Sequence, residues 1–175
     1  MLLRGSAGTG KTTLTAAIVR TLATLGQKVI LMAPTGRAAK VMSVNASRPA
    51  YTIHRKIYRQ KTFEGDFNLN ENLHADTLFV VDEASMIAND GFAQSVFGSG
   101  RLLDDLVQYV YHGRNCRMLL IGDTAQLPPV GEEESPALNT DFMRGYGLTL
   151  FEADLTEVLR QSALSGILYN ATLIR

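Results

Sequence analysis

Eight consecutive residues close to the start of the chain constrain its fold more than any other segment. They match the pattern G-x-x-x-x-G-K-[ST] and read Gly5-Ser6-Ala7-Gly8-Thr9-Gly10-Lys11-Thr12. A short apolar run at 1–4 precedes them, and a stretch at 11–25 with the apolar and small residues of a helix follows. Glycines let backbone N–H groups point at an anion, and the first turn of a helix is partially positive. This order predicts a phosphate-binding loop in an α/β domain.

The residue types in this loop predict that the chain binds ATP and Mg²⁺. Lys11 is expected to reach the β- and γ-phosphates, and the Thr12 hydroxyl is expected to bind Mg²⁺. A chance glycine-rich loop is the alternative, and the full match between a strand and a helix argues against it. The residues predicted to contact the nucleotide are Gly5, Ser6, Ala7, Gly8, Thr9, Gly10, Lys11, Thr12 and Thr13.

A pair of adjacent carboxylates follows a second apolar run, at 79–81. Asp82 is expected to hold Mg²⁺ through water, and Glu83 is expected to orient or deprotonate a water that attacks the nucleotide. The alternative is the solvated start of a loop. A glutamate beside the aspartate favours a hydrolase over many kinases, because a kinase must keep water away from the phosphoryl group.

Charge is divided unevenly along the chain, although the formal net charge is zero. Residues 1–63 contain eleven bases and no acid, whereas residues 64–175 contain six bases and all 17 acids. A basic part beside an acidic part is a hint of nucleic-acid contact, because neutralised phosphates supply much of such affinity. The alternative is that the charges mix when the chain folds.

The other compositional features predict a cytoplasmic protein with no membrane partner. The single cysteine, Cys116, has no second cysteine in the chain with which to pair. The first residues lack a signal-peptide pattern, and no apolar run reaches the roughly 18 to 20 residues that cross a bilayer.

Apolar runs alternate with helical stretches, which predicts a largely parallel sheet flanked by helices on both faces. The predicted strands are 1–4, 28–33, 77–81, 118–121 and 148–151. The predicted helices are 11–25, 36–45, 52–58, 102–111, 136–144 and 164–174. Two polar or Gly-rich stretches, at 59–75 and 89–100, are predicted to be surface excursions. No linker marks a second domain, so one domain spans 1–175.

Four more segments lie in order with the loop and the carboxylate pair. They are 33–39 (APTGRAA), 52–54 (TIH), 122–131 (GDTAQLPPVG) and 159–161 (LRQ). They resemble motif Ia, the next DNA-contacting motif, motif III and motif IV of superfamily 1 DNA helicases. Six motifs in the correct order resemble the first RecA-like motor domain of the RecD-like group, which includes the exonuclease V alpha subunit. The resemblance covers nearly the whole chain and implies a P-loop NTPase fold.

The resemblance implies roles for residues outside the loop. Gln126 would sense the γ-phosphate, and Arg160 would touch it and stabilise the charge that develops during transfer. The alternatives are an ordinary loop glutamine and a solvated arginine. A single nucleic-acid strand would be held mainly through its phosphates. The residues implied in that grip are Pro34, Thr35, Arg37, Thr52, His54 and Arg55, although His54 also fits a surface histidine satisfied by a neighbour.

The resemblance further implies an ATP-dependent DNA helicase motor that moves along single-stranded DNA, 5′ to 3′, and unwinds duplexes in DNA repair or recombination. Its partners would be single-stranded DNA or a single/double-strand junction, and a second RecA-like domain of the same protein. The adenine-contacting glutamine, motifs V and VI and that second domain are not in the sequence, so the chain alone is expected not to unwind DNA. The alternatives are a P-loop kinase, a nucleotide switch or a non-catalytic nucleic-acid-binding module.

RecD-like helicases carry a small strand-separating pin at the position of residues 59–75. A reduced pin is therefore implied here, with Phe63 or Phe67 near its tip. A plain surface loop is the alternative.

Overall fold

The computed structural model describes residues 1–60, 67–91 and 96–157. The strands in these ranges are β1 (Leu2–Gly5), β2 (Lys28–Ala33), β3 (Ala50–Thr52), β4 (Tyr58–Gln60), β5 (Phe67–Leu69), β6 (Thr77–Val81), β7 (Arg117–Gly122) and β8 (Glu152–Leu155). The helices are α1 (Lys11–Thr24), α2 (Gly36–Ala46), α3 (Ile53–Ile57), α4 (Leu102–His112) and α5 (Thr140–Arg144), with a 3₁₀ turn at Ala84–Met86.

Six of these strands form one parallel sheet in the order β3-β2-β6-β7-β1-β8. Strand β7 therefore lies between β1, which leads into the phosphate loop, and β6, which leads into the carboxylate pair. The predicted α/β fold with a largely parallel, RecA-like sheet is confirmed. The order also places the start of the 122–131 segment beside both halves of the expected nucleotide site.

The strands alternate between two apolar clusters, one on each face of the sheet. In β6, Phe79 and Val81 face the cluster that includes α3, α4 and α5, whereas Val80 faces the cluster that includes α1 and α2. Both faces of β6 are buried against apolar residues, which explains why its sequence is a continuous apolar run rather than an alternating one. Helices cover both faces, as predicted.

Two strand and helix boundaries differ from the sequence prediction. The strand predicted at 148–151 lies instead at Glu152–Leu155, an edge strand whose Glu152 and Asp154 pair with Arg4 of β1. Its pairing rests on those ion pairs as well as on apolar burial, so an apolar run did not reveal it. The helix predicted at 136–144 begins only at Thr140, because the Asn139 side chain accepts a hydrogen bond from the Phe142 N–H and caps it there.

Two structural features were not predicted from the sequence, and one predicted helix lies outside the described residues. Strand β3 was not predicted, because three residues are too few to produce a recognisable pattern. The stretch at 59–75 contains regular structure, since it includes most of β4 and all of β5, which form an antiparallel pair. The connecting residues 61–66, and hence Phe63, lie outside the described residues. The predicted helix at 164–174 also lies outside them.

The stretch at 89–100 was also predicted as a surface excursion, and most of its described residues are exposed, but Phe97 packs onto the protein. Phe97 is half-buried against the cluster that includes α4, and it forms a bridge with Phe67 at the start of β5. Among the described residues, no helix combines the length and apolarity that crossing a membrane requires.

Candidate nucleotide and nucleic-acid site

The candidate site lies along the carboxyl edge of the parallel sheet, where ligands of such sheets bind. The phosphate loop follows β1, and Asp82 follows β6. Asp123 follows β7, and Pro34 follows β2. Thr52 ends β3. Segments that are far apart in sequence thus meet at one edge.

The phosphate loop has the backbone geometry that its glycines predict. Gly8 and Gly10 both adopt φ of 85°, a left-handed conformation that residues with a Cβ rarely adopt. Gly5 has no room for a side chain, since a Cβ there would lie 2.6 Å from Thr9 Oγ1 and 2.9 Å from Leu155 Cβ. The buried Thr9 hydroxyl donates to the Ser6 carbonyl at 2.8 Å. These contacts fix the compact backbone conformation of the loop.

Lys11 is folded back onto this loop. Its ammonium group donates to the carbonyl oxygens of Gly5 at 2.6 Å and Ser6 at 2.9 Å, and it lies 3.8 Å from an Asp123 carboxylate oxygen. Only 14% of the Lys11 side chain is exposed. The positive charge is therefore held inside the loop, where a phosphate could replace the carbonyl acceptors.

The carboxylate pair is held by the neighbouring strand and by its own backbone. The Asp82 N–H donates to the Met32 carbonyl of β2 at 3.0 Å, and one Asp82 carboxylate oxygen accepts from the Glu83 N–H at 2.9 Å. Glu83 adopts a φ of 54°, which is unusual for a residue with a side chain. Burial, with help from the Glu83 charge, raises the pKa of Asp82 above its ordinary value, although the Glu83 N–H and Lys11 oppose the shift.

These residues fit a magnesium ion that phosphates help to hold. A half-buried carboxylate with a raised pKa is stabilised by a nearby cation, and Mg²⁺ prefers oxygen donors such as the Asp82 carboxylate and the Thr12 hydroxyl. Among the described residues, no three His, Cys, Asp or Glu side chains gather into a metal-binding group. Mg²⁺ that is bound together with a nucleotide takes only one or two carboxylates from the protein.

Asp123 and Gln126 are joined to both halves of this site. One Asp123 carboxylate oxygen accepts from the Ala125 N–H at 2.9 Å, and the Asp123 carbonyl accepts from the Gln126 N–H at 3.2 Å. The Gln126 side-chain oxygen accepts from the buried Ser85 hydroxyl at 2.9 Å. Contacts therefore run from Lys11 to the turn that follows the carboxylates.

The sequence prediction missed Asp123 and Ser85 as members of this site. Asp123 directly follows a buried strand, at the same position relative to β7 that Asp82 has relative to β6, and this was the signal available. Ser85 had no such signal, because its role depends on a partner 41 residues away. Arg160 lies outside the described residues.

The residues implied in nucleic-acid contact lie at the ends of β2 and β3. The Thr35 hydroxyl accepts from the Ala38 N–H at 3.2 Å and caps α2, and the Thr52 hydroxyl accepts from the Arg55 N–H at 3.3 Å and caps α3. Because each hydroxyl accepts this bond, its own hydrogen can be donated to another acceptor. Five bases between positions 37 and 59 are exposed: Arg37, Lys40, Arg48, Arg55 and Arg59.

His54 contacts two neighbouring aromatic rings. Its ring centroid lies 5.0 Å from that of Phe97, edge to face, and 5.7 Å from that of Tyr58. Burial lowers the pKa of His54, so the ring is neutral at neutral pH. Neutral His54 adds no positive charge beside Thr52, so any contact of its ring with nucleic acid would be through hydrogen bonding or stacking.

The loop, the carboxylate pair and the strand order define this chain as a P-loop nucleoside triphosphatase domain with a RecA-like sheet. A family model described as AAA domain matches residues 1–173, and the chain belongs to that family. The sequence resemblance to the first motor domain of superfamily 1, RecD-like helicases is confirmed by this match and by the relatives.

Two curated relatives are helicases. The chain is 38% identical over 131 residues to the ATP-dependent RecD2 DNA helicase of Deinococcus radiodurans, a match that covers 74% of this chain and 16% of that protein. It is 31% identical over 167 residues to the ATP-dependent DNA helicase dda of Enterobacteria phage T4, covering 92% of this chain and 35% of that protein. The chain thus spans well under half the length of each relative.

Two solved structures share the fold. The crystal structure of Bacteroides Pif1 bound to ssDNA superposes with a TM-score of 0.55 at 23% identity, covering 93% of this chain and 39% of that one. The crystal structure of Pif1 helicase from Candida albicans superposes with a TM-score of 0.57 at 20% identity, covering 92% and 37%.

Proposed function

We propose that this chain is the ATP-binding motor domain of a DNA helicase, which hydrolyses Mg-ATP to drive translocation on single-stranded DNA and duplex unwinding. The observation that carries the proposal is the set of contacts joining Lys11, Asp123, Gln126 and Ser85. This set connects the phosphate loop to the turn after the carboxylate pair. Such a link would let a change at the phosphates reach the segment after the carboxylate pair, as a motor requires.

Nucleotide binding begins at the phosphate loop. The loop amides and the start of α1 attract the triphosphate, and Lys11 exchanges the carbonyls of Gly5 and Ser6 for phosphate oxygens. A magnesium ion held by Thr12 and, through water, by Asp82 would neutralise charge on the phosphates. The raised pKa of Asp82 makes the ligand-free site an unfavourable environment for a bare carboxylate, so cation binding relieves that cost.

Neighbouring side chains would catalyse hydrolysis and sense whether the γ-phosphate is present. Glu83 orients or deprotonates the attacking water from a backbone conformation fixed by Asp82. Gln126 senses the γ-phosphate through its amide group. Arg160 contacts the same phosphate and stabilises the charge that develops during transfer. Loss of the γ-phosphate would therefore change the bond between Gln126 and Ser85.

The nucleotide site and the nucleic-acid rim are linked through adjacent strands. The Asp82 N–H donates to the Met32 carbonyl at 3.0 Å, and Pro34 lies two residues further along the same chain. A shift of the carboxylate pair on hydrolysis would therefore be transmitted to the rim formed by Pro34, Thr35 and Arg37. Contacts to phosphates along that rim would give little sequence preference.

A second RecA-like domain is proposed to act together with this one. A second RecA-like domain would complete the ATP-binding cleft and contribute an arginine to the γ-phosphate. By itself the chain would bind nucleotide weakly and would not unwind DNA. The complete motor would move 5′ to 3′ on single-stranded DNA or at a single/double-strand junction, in the cytoplasm, in DNA repair or recombination.

The proposal is tested by measuring ATP hydrolysis with and without single-stranded DNA, in a polypeptide that also carries the second domain. Single-stranded DNA should stimulate hydrolysis, and Lys11→Ala should abolish it. Lys28→Ala is the matched control, because Lys28 is an exposed lysine at the opposite end of β2. Hydrolysis that ignores DNA, together with phosphoryl transfer to a small molecule, would establish the kinase alternative.

A second measurement addresses the non-catalytic alternative. Titration of the chain with a non-hydrolysable ATP analogue and Mg²⁺ should show binding that Lys11→Ala weakens. Nucleic-acid binding without any nucleotide binding would contradict the motor proposal and support a simple binding module.

The β4–β5 pair is proposed to be a reduced strand-separating pin. Its position within residues 59–75 and its antiparallel pairing support this role. Deletion of residues 60–69 from the complete motor should abolish unwinding and leave DNA-stimulated hydrolysis intact. Equal loss of both activities would count against a pin.

A further inference from the structure

A buried carboxylate, Asp105 of α4, lies beneath the β4–β5 pair. Only 3% of Asp105 is exposed, and among the described residues no lysine or arginine forms an ion pair with it. One of its carboxylate oxygens accepts two hydrogen bonds, from the Tyr58 hydroxyl at 2.6 Å and from the Ser99 N–H at 3.0 Å. A buried carboxylate without a cation is costly, so these two hydrogen bonds help to stabilise Asp105 in its position.

The two donors belong to different segments. Tyr58 begins β4, whereas Ser99 lies in the segment Val96–Ser99 that precedes α4. This segment also pairs with β5, because the Phe67 N–H donates to the Val96 carbonyl at 2.9 Å and the Gly98 N–H donates to the Phe67 carbonyl at 2.7 Å. Asp105 therefore connects α4 to β4 through Tyr58, and to the segment that pairs with β5 through Ser99.

Gly98 shows how closely these parts meet. Its φ of 48° is left-handed, and a Cβ at this position would collide with the Asp105 carboxylate and lie 2.6 Å from the Tyr58 ring. No other residue type fits here without displacing the carboxylate or the ring.

Four aromatic rings continue this contact toward the nucleic-acid rim. Phe97 stacks on Phe67 with centroids 4.7 Å apart and lies 5.4 Å from the Tyr58 ring. The ring centroid of Phe97 also lies 5.0 Å from that of His54 in α3. The strand pair and His54 therefore share one aromatic cluster. Asp105 is joined to this cluster by its hydrogen bond from Tyr58.

We propose that Asp105 is a positioning residue that fixes the β4–β5 pair and His54 in one arrangement, so that a junction between single-stranded and duplex DNA is recognised as a unit. The inference rests on the proposed function, because it requires nucleic acid at the rim. Directional hydrogen bonds specify one orientation of the strand pair, whereas apolar packing alone would permit several. The site would thus favour junctions over plain single strands.

The same helix offers a matched control. Tyr146 donates a hydrogen bond to Asp104, the residue beside Asp105 in α4. Burial raises the pKa of both tyrosines, Tyr58 and Tyr146, so each hydroxyl is a desolvated donor to an aspartate. Tyr58→Phe and Tyr146→Phe therefore remove comparable hydrogen bonds from adjacent positions.

The experiment measures the affinity of the full chain for a forked DNA and for the single strand of the same sequence, by fluorescence anisotropy. The readout is the ratio of the two dissociation constants, with thermal stability and affinity for an ATP analogue measured alongside. Tyr58→Phe should reduce the preference for the fork by about fivefold, which corresponds to a coupling of ~1 kcal/mol. Tyr146→Phe should leave the ratio unchanged while lowering stability to a similar extent.

Two further variants sharpen the result. Asp105→Asn should retain the preference, because its amide oxygen can accept the same two hydrogen bonds, whereas Gly98→Ala should lose it. If Tyr58→Phe leaves the fork preference intact, or if Tyr146→Phe reduces it equally, the inference is wrong. A wild-type chain that binds single strands without preferring the fork also overturns the inference but not the proposed function. Absence of any DNA binding contradicts both.

Discussion

The Ser85 hydroxyl donates a hydrogen bond to the side-chain oxygen of Gln126 across 2.9 Å, joining residues 41 positions apart. Ser85 is buried within the turn that follows the carboxylate pair, whereas Gln126 is exposed at the edge of the sheet. The bond holds the proposed γ-phosphate sensor against the proposed catalytic segment. In the proposed function, this bond would set the position from which Gln126 contacts the γ-phosphate.

Removing this bond should weaken the distinction between ATP and ADP. In Ser85→Ala, the ratio of ADP to ATP-analogue dissociation constants should fall by about fivefold, the equivalent of one hydrogen bond of ~1 kcal/mol. Nucleotide titration by fluorescence measures this ratio. Ser135→Ala is the control, because its hydroxyl reaches the Ala84 carbonyl only at 3.5 Å. An unchanged ratio in Ser85→Ala would show that the bond does not position Gln126.

Asp82→Asn should raise the stability of the ligand-free chain while it impairs binding of magnesium-nucleotide. The folded protein raises the pKa of Asp82, so the ionised carboxylate destabilises the fold once the pH exceeds the ordinary value of 3.8. This cost grows until the pH has passed the raised folded pKa, and it persists at neutral pH. Asparagine carries no charge and can still accept from the Glu83 N–H.

Thermal unfolding without ligand and titration with Mg-ATP analogue measure the two effects. The melting temperature of Asp82→Asn should exceed that of the wild type at pH 7, and the two should converge as the pH falls toward 4. Its affinity for the magnesium-nucleotide should drop by about 10- to 100-fold. A variant that is less stable than the wild type at pH 7 would mean that the carboxylate is favourably paired in the ligand-free state.

Gly5→Ala should damage the phosphate loop. A Cβ would be forced against Thr9 Oγ1 and Leu155 Cβ, so the chain should lose about 1 to 3 kcal/mol of stability and bind nucleotide more weakly. Gly36→Ala is the matched control, because nothing lies within 4 Å of a Cβ at that helical position. Urea unfolding and nucleotide titration compare the two variants. Equal effects would show that crowding at Gly5 is not what requires a glycine.

Arg4→Met should remove an acid-sensitive contribution to stability at the edge of the sheet. The Arg4 guanidinium donates to Glu152 and Asp154 at 2.8 Å and to the Thr140 hydroxyl at 3.0 Å. Hydrogen bonds from Thr140 and from Arg4 hold the pKa of Glu152 below its ordinary 4.5, and Arg4 holds the pKa of Asp154 below its ordinary 3.8.

Because the folded pKa values are lowered, this stabilisation is present above about pH 4.5 and is lost as the pH falls through the lowered values. Thermal unfolding across pH should therefore show Arg4→Met less stable than the wild type at pH 7, with the difference shrinking below pH 4. High salt should also reduce the difference, since both acidic partners lie near solvent. A difference that does not vary with pH would mean that Arg4 acts through packing alone.

Local sequence patterns were sufficient to predict the phosphate loop and several of the strands and helices. The loop at Gly5–Thr12 requires a strand before it and a helix after it, and α1 begins at Lys11 as that pattern predicts. Strands β2 and β6 are continuous apolar runs because helices cover both faces of the sheet, and their predicted bounds match the structure. The residues with strong chemical constraints, the glycines of the phosphate loop and the carboxylate pair after β6, could therefore be recognised from the sequence.

Contacts between distant segments could not be predicted in this way. Strand β8 is defined partly by Arg4, roughly 150 residues away, so its own residues do not show where it begins. The partnership of Ser85 with Gln126, and of Tyr58 with Asp105, depends on which strands the sheet makes adjacent. A side chain's polarity shows that it needs a partner, but only the packed sheet determines which partner is within reach. The sequence by itself determined the chemistry of the phosphate loop, and the tertiary structure decided what that loop is connected to.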